Sequence, residues 1–316
     1  LAALGNIALI YNIRGEYDKS LEIYKEVITT AEDIYNLRSQ GQTYGNIGII
    51  HKNMKNYKEA EKNYTKQLKI ANKIDDKHLQ TTAYSGFAVI HQQIGNFDKA
   101  LEYHNKNIKI KKKMNDKHGL ASTYCNLSLV LFDIGEIDDA KDHLNKGLEL
   151  FKEMGINRAI EIGNFEMSKF LHFEDDYISG INILNSAIKY FKEMDDTIYL
   201  LRSLIQLGIL QRLNKQLKES VKTLNEALQI ANKINHDIFI KTINIEVAIC
   251  DIKKSQHLLE KYIEESNDLN SKAYINFNIY QYTDNKDAQS SAYRDYDTLY
   301  KKHKKFEYKY YLKKLK

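Results

Sequence analysis

The apolar residues of this chain recur at helical spacing, and the pattern repeats every 40 residues. Within each half of a 40-residue unit, apolar positions stand three, four and seven residues apart, which indicates one buried helix face. Small residues at such a face let two helices pack closely. A large apolar residue followed by a small one marks the first half of six successive units, namely Ile7–Ala8, Ile47–Gly48, Phe87–Ala88, Leu127–Ser128, Met167–Ser168 and Leu207–Gly208.

Helix-breaking and capping residues divide each unit into two helices. Glycine separates the two halves at Gly15, Gly95 and Gly135. Asparagine or aspartate follows each unit where an N-cap would begin the next helix, at Asn36, Asp76, Asp116 and Asp196. Each unit is therefore predicted to be a helical hairpin. Because one hairpin cannot bury its own apolar face, the units are expected to stack on one another.

These residues resemble the tetratricopeptide-repeat family, which has a large and then a small residue in its first helix and an aromatic residue after the turn. The resemblance is clear at Tyr44–Leu68 and Gly86–Ile108, strong over residues 1–234 and weak over 235–316. The usual period is about 34 residues, so a period of 40 predicts longer helices. The usual unit-ending proline is absent. The family resemblance implies an all-α, right-handed superhelical solenoid of antiparallel helix hairpins.

The 40-residue form is similar to the repeats of kinesin light chain, spindle-orientation adaptors, bacterial Rap-type peptide receptors and arrays fused to bacterial kinases or cyclases. Six repeats are expected over residues 1–234 and degenerate helix hairpins over 235–303. A basic capping helix or tail is expected over 304–316, with Phe306–Leu315 as the final helix. The chain opens with Leu-Ala-Ala-Leu rather than a polar cap, so further repeats or another domain are expected before Leu1.

Composition narrows the class of protein. The net charge is +5 and proline is absent. The segment Tyr300–Lys316 holds eight lysines and one glutamate, a net charge of +7, so the rest of the chain has a net charge of −2 and a broad nucleic-acid surface is not expected. Two cysteines do not build a disulfide framework, and no apolar run is long enough to span a membrane. These features predict a cytoplasmic protein of unspecified oligomeric state.

No motif for catalysis or for a bound cofactor is present. Gly41, Gly45 and Gly48 have the wrong spacing for a dinucleotide-binding loop and lie inside a predicted helix. His51 and His91 occupy equivalent repeat positions, about 10 Å apart in adjacent helices, which is too far to share one metal ion. A non-enzymatic protein without cofactor or metal is predicted.

The concave face of the stacked hairpins is the expected ligand groove. Its first half is predicted to be polar, and one column of the repeat holds Asn6, Asn46 and Asn126, with Gly86 interrupting it. In peptide-binding members of the family such asparagines hold the peptide backbone, and an amide can both donate and accept. The alternative is that these amides bond a neighbouring helix. The other predicted polar positions are Gln42, Lys52, Asn53 and Gln92.

The second half of the groove is predicted to be aromatic and bordered by cations. Its predicted positions are Phe132, Phe165, Lys169, His172 and Phe173, followed by Arg202 and Arg212. Such residues suit an extended ligand with a large apolar side chain and with acidic residues facing the two arginines. The alternative is that the phenylalanines pack in the core.

The sequence thus predicts a scaffold that binds a protein or extended peptide, as the repeat region of a larger signalling or regulatory protein. Two alternatives remain open. One is a ligand-switched peptide receptor of the Rap type, and the other is the sensor region of a fused kinase, cyclase or ATPase.

Overall fold

The computed structural model describes all 316 residues and contains seventeen α-helices and no strand. The helices are α1 (Ala2–Ile13), α2 (Tyr17–Asp33), α3 (Leu37–Asn53), α4 (Tyr57–Lys73), α5 (Lys77–Gln93), α6 (Phe97–Lys113), α7 (Lys117–Ile134), α8 (Ile137–Glu153), α9 (Asn157–Phe173), α10 (Tyr177–Glu193), α11 (Thr197–Leu213), α12 (Leu217–Lys233), α13 (Asp237–Cys250), α14 (Ile252–Glu265), α15 (Leu269–Thr283), α16 (Lys286–His303) and α17 (Phe306–Lys314). The prediction of an all-α helical-repeat solenoid is confirmed.

Helix lengths explain the 40-residue period. From Tyr17 to Asp237 a new helix begins every 20 residues, and helices such as α2 and α3 contain 17 residues each. A three-residue turn completes each half-unit except between α7 and α8, where the turn has two residues. The longer helices that the period predicted are therefore present, and each 40-residue unit contains two equivalent halves.

Every one of these turns contains a residue with positive φ, and these residues also recur every 20 positions. After the positive-φ residue, the next backbone N–H donates to a carbonyl five residues earlier, as from Asn36 to Ala31 at 2.8 Å. This bond is the mark of a Schellman C-cap, which satisfies a carbonyl that the helix leaves free. The positive-φ residues are Gly15, Tyr35, Lys55, Asp75, Gly95, Asn115, Gly135, Gly155, Asp175, Asp195, Lys215 and Asn235.

The predicted N-caps are confirmed. Asn36 accepts a hydrogen bond from the Ser39 backbone N–H at 3.0 Å, and Asp76 accepts one from Leu79 at 3.0 Å. Asp116 and Asp196 accept the corresponding bonds for α7 and α11. The turn thus closes one helix with a left-handed residue and begins the next with a side-chain cap.

The chain divides into two compact units, here called the N-terminal unit (Leu1–Val130) and the C-terminal unit (Leu131–Lys316). In the N-terminal unit, the largest fully buried side chains include Tyr24 and Tyr64. Small residues allow their helices to meet closely, and Ser20 donates a hydrogen bond to the Ala8 carbonyl at 2.6 Å.

The C-terminal unit loses the regular period after α12. Helices α13 and α14 meet at Asp251, which caps both of them, without a three-residue turn. Helix α17 packs with α15 and α16 around Phe277, Tyr296 and Tyr311. None of the seventeen helices combines the length and the apolar character needed to cross a membrane.

Candidate functional site

Three of the predicted polar groove residues line one cavity in the N-terminal unit. Asn6 of α1 and both Gln42 and Asn46 of α3 face a space of about 440 Å³. Apolar side chains form another part of its wall, which includes Leu9, Val27 and Leu79. The cavity therefore combines amide groups with a surface that can contact an apolar side chain.

Gln67 adds a buried polar group to this cavity. Its side chain is 1% exposed, and its Oε1 atom has no hydrogen-bond partner. A Cβ atom at Gly45 would lie 2.6 Å from Gln67 Nε2, so the glycine leaves the space that this side chain occupies. An unpaired buried acceptor costs about 1–3 kcal/mol, so it is a group that a ligand N–H could satisfy.

Gln67 was not among the residues predicted from the sequence, although its place in the repeat carries a signal. Gln67 lies in the second helix of its repeat, in a column of buried positions that is otherwise mostly apolar or small. The column reads Val27, Gln67, Asn107, Gly147, Ala187 and Ala227. A glutamine in such a column is a polar group enclosed by the fold.

Charges and hydroxyls near the cavity are already paired within the protein. Arg38 Nε lies 3.1 Å from Asp76 Oδ2, and Asp76 also caps α5. The Tyr24 hydroxyl donates to the Gly5 carbonyl at 3.4 Å. Burial raises the pKa of Tyr24, and a hydrogen bond with Asn46 opposes this rise. A ligand would therefore meet neutral amides more readily than an isolated charge.

The remaining polar predictions lie outside this cavity. Burial lowers the pKa of Lys52, and Asn53 donates to the Asn12 side chain at 3.5 Å. Gln92 is half-buried, and Asn126 is exposed. The structure therefore brings together only part of the predicted polar half.

The interruption of the asparagine column at Gly86 has a steric cause. A Cβ atom at position 86 would lie 2.4 Å from Tyr64 Cζ, and a Cβ atom at Gly48 would lie 2.6 Å from Tyr64 Cε1. The buried Tyr64 ring thus lies between two glycines. At the equivalent place one repeat earlier, Tyr24 instead forms its hydrogen bond with Asn46.

In the C-terminal unit, the predicted aromatic anchors are part of the core, as the alternative interpretation allowed. Phe132 and Phe165 are both 8% exposed. The Phe132 ring stacks on Phe170 with centroids 4.8 Å apart, and it also contacts the edge of Phe173. The Phe165 ring meets Tyr199 edge to face at 6.3 Å. Both rings therefore pack against other aromatic side chains of the protein.

Helix α17 covers this aromatic surface. Phe306 contacts both Phe132 and Phe173, at centroid distances of 6.0 and 5.9 Å. Tyr310 meets Phe173 at 4.9 Å. Lys305 pairs with Asp133 at 3.1 Å. Part of the predicted aromatic half is therefore occupied by the C-terminal helix of the same chain.

The predicted cations of this half have partners of their own. Lys169 lies 2.8 Å from Glu166, and the exposed Arg202 lies over the Tyr199 ring at 5.4 Å. Arg212 was expected to border the groove and face acidic ligand residues, but it is 3% exposed and pairs with Glu246 at 3.2 Å. Helices α13 and α15 enclose Arg212, a packing that its position in the repeat does not reveal.

His172 stacks on Phe173 at 4.9 Å and faces a small cavity beside Arg212. Burial, together with the nearby cations Arg212 and Lys314, lowers the pKa of His172 to about 4. The imidazole is therefore neutral at physiological pH. No three histidine, cysteine, aspartate or glutamate side chains converge in the structure as metal ligands would.

Comparison with protein families supports the repeat assignment. A family model described as tetratricopeptide repeat matches residues 1–73, 39–113 and 80–153. A search among curated proteins found no match.

Solved structures share the fold along most of the chain. Aspartyl phosphate phosphatase F from Bacillus subtilis is 10% identical, with a TM-score of 0.70 over 93% of this chain and 92% of that chain. The Rap conjugation gene regulator of plasmid pLS20, solved with a Phr peptide, is 14% identical, with a TM-score of 0.66 over 96% and 95%.

A third similar structure belongs to a larger protein. It is a signal transduction ATPase with numerous domains and a tetratricopeptide-repeat sensor from Pyrococcus horikoshii. It is 19% identical, with a TM-score of 0.69 over 83% of this chain and 41% of that chain. At these identities the likeness shows the fold alone. The tetratricopeptide-repeat model matches residues 1–153 of this chain, and the solved structures share its all-α helical-repeat solenoid fold.

Proposed function

We propose that this protein is a non-catalytic scaffold that binds an extended protein segment or peptide at the cavity of its N-terminal unit. The single observation that carries the proposal is the grouping of Asn6, Gln42 and Asn46 around the buried, unpaired acceptor of Gln67. Amides of this kind can donate to peptide carbonyls and accept from peptide N–H groups.

The chemistry of the cavity indicates what the ligand carries. Three side-chain hydrogen bonds contribute about 3 kcal/mol in total, which is weaker than millimolar binding, at about 4 kcal/mol. Burying two apolar side chains against residues such as Val27 and Leu79 adds about 2 kcal/mol each. The expected ligand is therefore an extended segment with at least one large apolar side chain, bound in the micromolar to millimolar range.

The fold neighbours support a regulatory role for such binding. The pLS20 regulator was solved with a Phr peptide, and the Pyrococcus horikoshii ATPase carries its repeats as a sensor. Because the pLS20 likeness covers nearly the full length of both chains, a peptide-responsive regulator is the second candidate. A sensor region within a larger enzyme is the third.

A peptide-display selection tests the proposal. The wild type is compared with an Asn6→Ala/Asn46→Ala variant and with a matched Asn105→Ala/Asn145→Ala control, whose two asparagines are exposed and lie on α6 and α8. We expect the wild type and the control to enrich one shared motif that the cavity variant loses. If all three proteins enrich the same motif, or if none enriches any, the N-terminal cavity is not the binding site.

A further inference from the structure

The C-terminal unit contains a second, smaller cavity with a different chemical character. It has a volume of about 220 Å³, and helices α9, α10, α11, α15 and α17 contribute its wall. No aspartate or glutamate lines it, whereas two cations, Arg212 and Lys314, do. This volume is below the range of about 300–1,000 Å³ typical of drug-sized sites, so a ligand would be about as large as one amino acid.

Arg212 is the central polar group of this cavity, here called the Arg212 cavity. Its Nη1 atom donates to Asn278 Oδ1 at 3.1 Å and to the Tyr282 hydroxyl at 3.3 Å. Its Nη2 atom donates to Glu246 Oε2 at 3.2 Å and to the Tyr274 hydroxyl at 3.0 Å. The Nε atom is buried and has no hydrogen-bond partner. One N–H of this buried guanidinium is therefore left without an acceptor from the protein.

The carboxylates that balance these cations lie outside the Arg212 cavity wall. Glu246 pairs with Arg212, and Asp175 pairs with Lys314 at 3.2 Å. His172, which faces the same space, is neutral, since its burial and the two nearby cations lower its pKa to about 4. The wall thus presents positive and donor groups toward its interior, which favours an anionic acceptor.

Aromatic rings form the apolar part of the wall. Phe277 meets Tyr311 edge to face at 4.8 Å, and Tyr274 meets Tyr311 at 6.5 Å. Tyr310 lies under the ammonium group of Lys314, at 4.5 Å from ring centroid to Nζ. Flat aromatic walls of this kind accommodate a ring or another planar apolar group.

We propose that the Arg212 cavity binds a small carboxylate with an aromatic or planar apolar body. The carboxylate accepts from Arg212 Nε and lies near Lys314, and the apolar body contacts Phe277, Tyr274 and Tyr311. The shared chemistry is that of a free aromatic acid or of the C-terminal residue of a peptide. Because Tyr310, Tyr311 and Lys314 belong to α17, a bound ligand links this helix to α11 and α15.

Titration calorimetry with defined probes tests the proposal. N-acetyl-L-phenylalanine and 3-phenylpropionate carry the carboxylate, and N-acetyl-L-phenylalaninamide is the uncharged control. Ala-Ala-Ala-Phe with a free carboxyl terminus represents the peptide source. We expect the carboxylates to bind about tenfold or more tightly than the amide, because a hydrogen bond to a charged acceptor is lost with the amide. Tighter binding of the tetrapeptide than of the free acids identifies a peptide terminus, and the reverse identifies a small molecule.

Variants distinguish the Arg212 cavity from other sites. Arg212→Met/Glu246→Met removes a buried charge pair together, which is tolerated better than removal of one partner. Lys314→Met changes a partly exposed residue of the wall, and Lys313→Met on the same helix is the matched control, because Lys313 does not line this cavity. We expect both cavity variants to weaken carboxylate binding and Lys313→Met to leave it unchanged.

Hydrogen exchange gives a second readout. A carboxylate probe should slow amide exchange in α17 of the wild type, and the amide probe should not. The proposal is overturned if no carboxylate probe binds the folded protein, if acid and amide bind equally, or if Lys314→Met and the double variant both retain wild-type affinity. The display selection on the N-terminal cavity is unaffected by any of these results, so the two proposals fail separately.

Discussion

Tyr310 donates a hydrogen bond of 3.1 Å to Asp175, a residue 135 positions earlier in the chain. Asp175 is also the positive-φ residue of the turn between α9 and α10. Its carboxylate accepts from Tyr177 at 2.6 Å and from Lys314 at 3.2 Å. One turn residue of the repeat pattern therefore also attaches the C-terminal helix to the array.

Replacing this carboxylate should loosen α17 without disturbing the turn. Asp175→Asn keeps a residue type that tolerates positive φ but removes the negative charge. Because Asp175 is partly exposed, we expect a loss of at most about 1 kcal/mol, which corresponds to roughly fivefold faster amide exchange in α17. Asp195→Asn, at the positive-φ residue of the next turn, one helix later, is the control. Unchanged exchange in α17 would show that Phe306 and the other apolar contacts hold the helix alone.

Acid should loosen α17 through the same residue. Burial alone would raise the pKa of Asp175, but hydrogen bonds from Tyr177, Lys314 and Tyr310 outweigh it and lower the pKa. A lowered carboxyl pKa gives stability that is present above the unfolded value of about 4 and is lost as pH falls below it. Exchange in α17 should therefore accelerate below about pH 4 in the wild type and less so in Asp175→Asn.

His104 should make the N-terminal unit sensitive to mild acid. It is 2% exposed, neither ring nitrogen has a partner, and burial lowers its pKa to about 4. Between the ordinary histidine value of about 6.5 and this lowered value, the unfolded chain binds the proton and the folded chain does not. The free energy of unfolding therefore has its full value above pH 6.5, and up to about 3 kcal/mol of it is lost as the pH falls to 4.

The repeat itself supplies the replacement that tests this effect. Leu144, Leu184 and Leu224 occupy the positions equivalent to His104. In His104→Leu, the free energy of unfolding, measured by denaturant titration, should depend less on pH between 6.5 and 4. His257→Gln, at an exposed histidine, should leave the pH profile as in the wild type. A His104→Leu protein with the wild-type slope would assign the acid sensitivity to other groups.

The Tyr64 ring should tolerate no side chain at position 86. A Cβ atom at Gly86 would lie 2.4 Å from the buried ring, so Gly86→Ala should destabilise the protein by about 1–3 kcal/mol through overpacking. In a double-mutant cycle, the same change should cost less in a Tyr64→Leu background, because leucine leaves more space.

Gly5→Ala is the matched control for this cycle. Gly5 lies in α1, and a Cβ atom there would have no neighbour within 4 Å. Alanine should therefore stabilise that helix by up to about 1 kcal/mol. Equal costs of Gly86→Ala in both backgrounds would contradict the steric explanation for the interrupted asparagine column.

Replacing Gln67 should make the protein more stable and weaken its binding of peptides. Gln67→Met removes the unpaired buried acceptor, so we expect the free energy of unfolding to rise by about 1 kcal/mol and the melting temperature to rise with it. The same variant should bind peptides selected on the wild type about tenfold more weakly. Gln40→Met removes an amide that donates to the Ala31 carbonyl at 3.1 Å, and it should destabilise the protein. A Gln67→Met protein with full affinity would exclude this group from the site.

The helices, their pairing and their caps follow from the repeat pattern alone, because they depend on contacts that are close along the chain. Ile47 and Gly48 mark a helix face, and Asp76 caps the helix that follows it, so a pattern repeated every 40 residues predicts both. The choice of Asn6 and Asn46 as cavity residues followed from the same register. Tyr35 was harder to recognise as a turn residue, since tyrosine does not favour positive φ.

Long-range packing determines which of the predicted groove side chains in the C-terminal unit are accessible to a ligand. Phe132 and Phe173 have the same register as a groove residue, but Phe306 covers them from more than 130 positions away. Arg212 similarly becomes buried because Glu246, Tyr274 and Asn278 enclose it. The repeat period describes how neighbouring helices pack, and it carries no information on contacts made by an irregular C-terminal segment. The helices of the repeats could therefore be predicted, while the burial of Phe132 and Arg212 within the C-terminal unit depended on where α13, α15 and α17 fold.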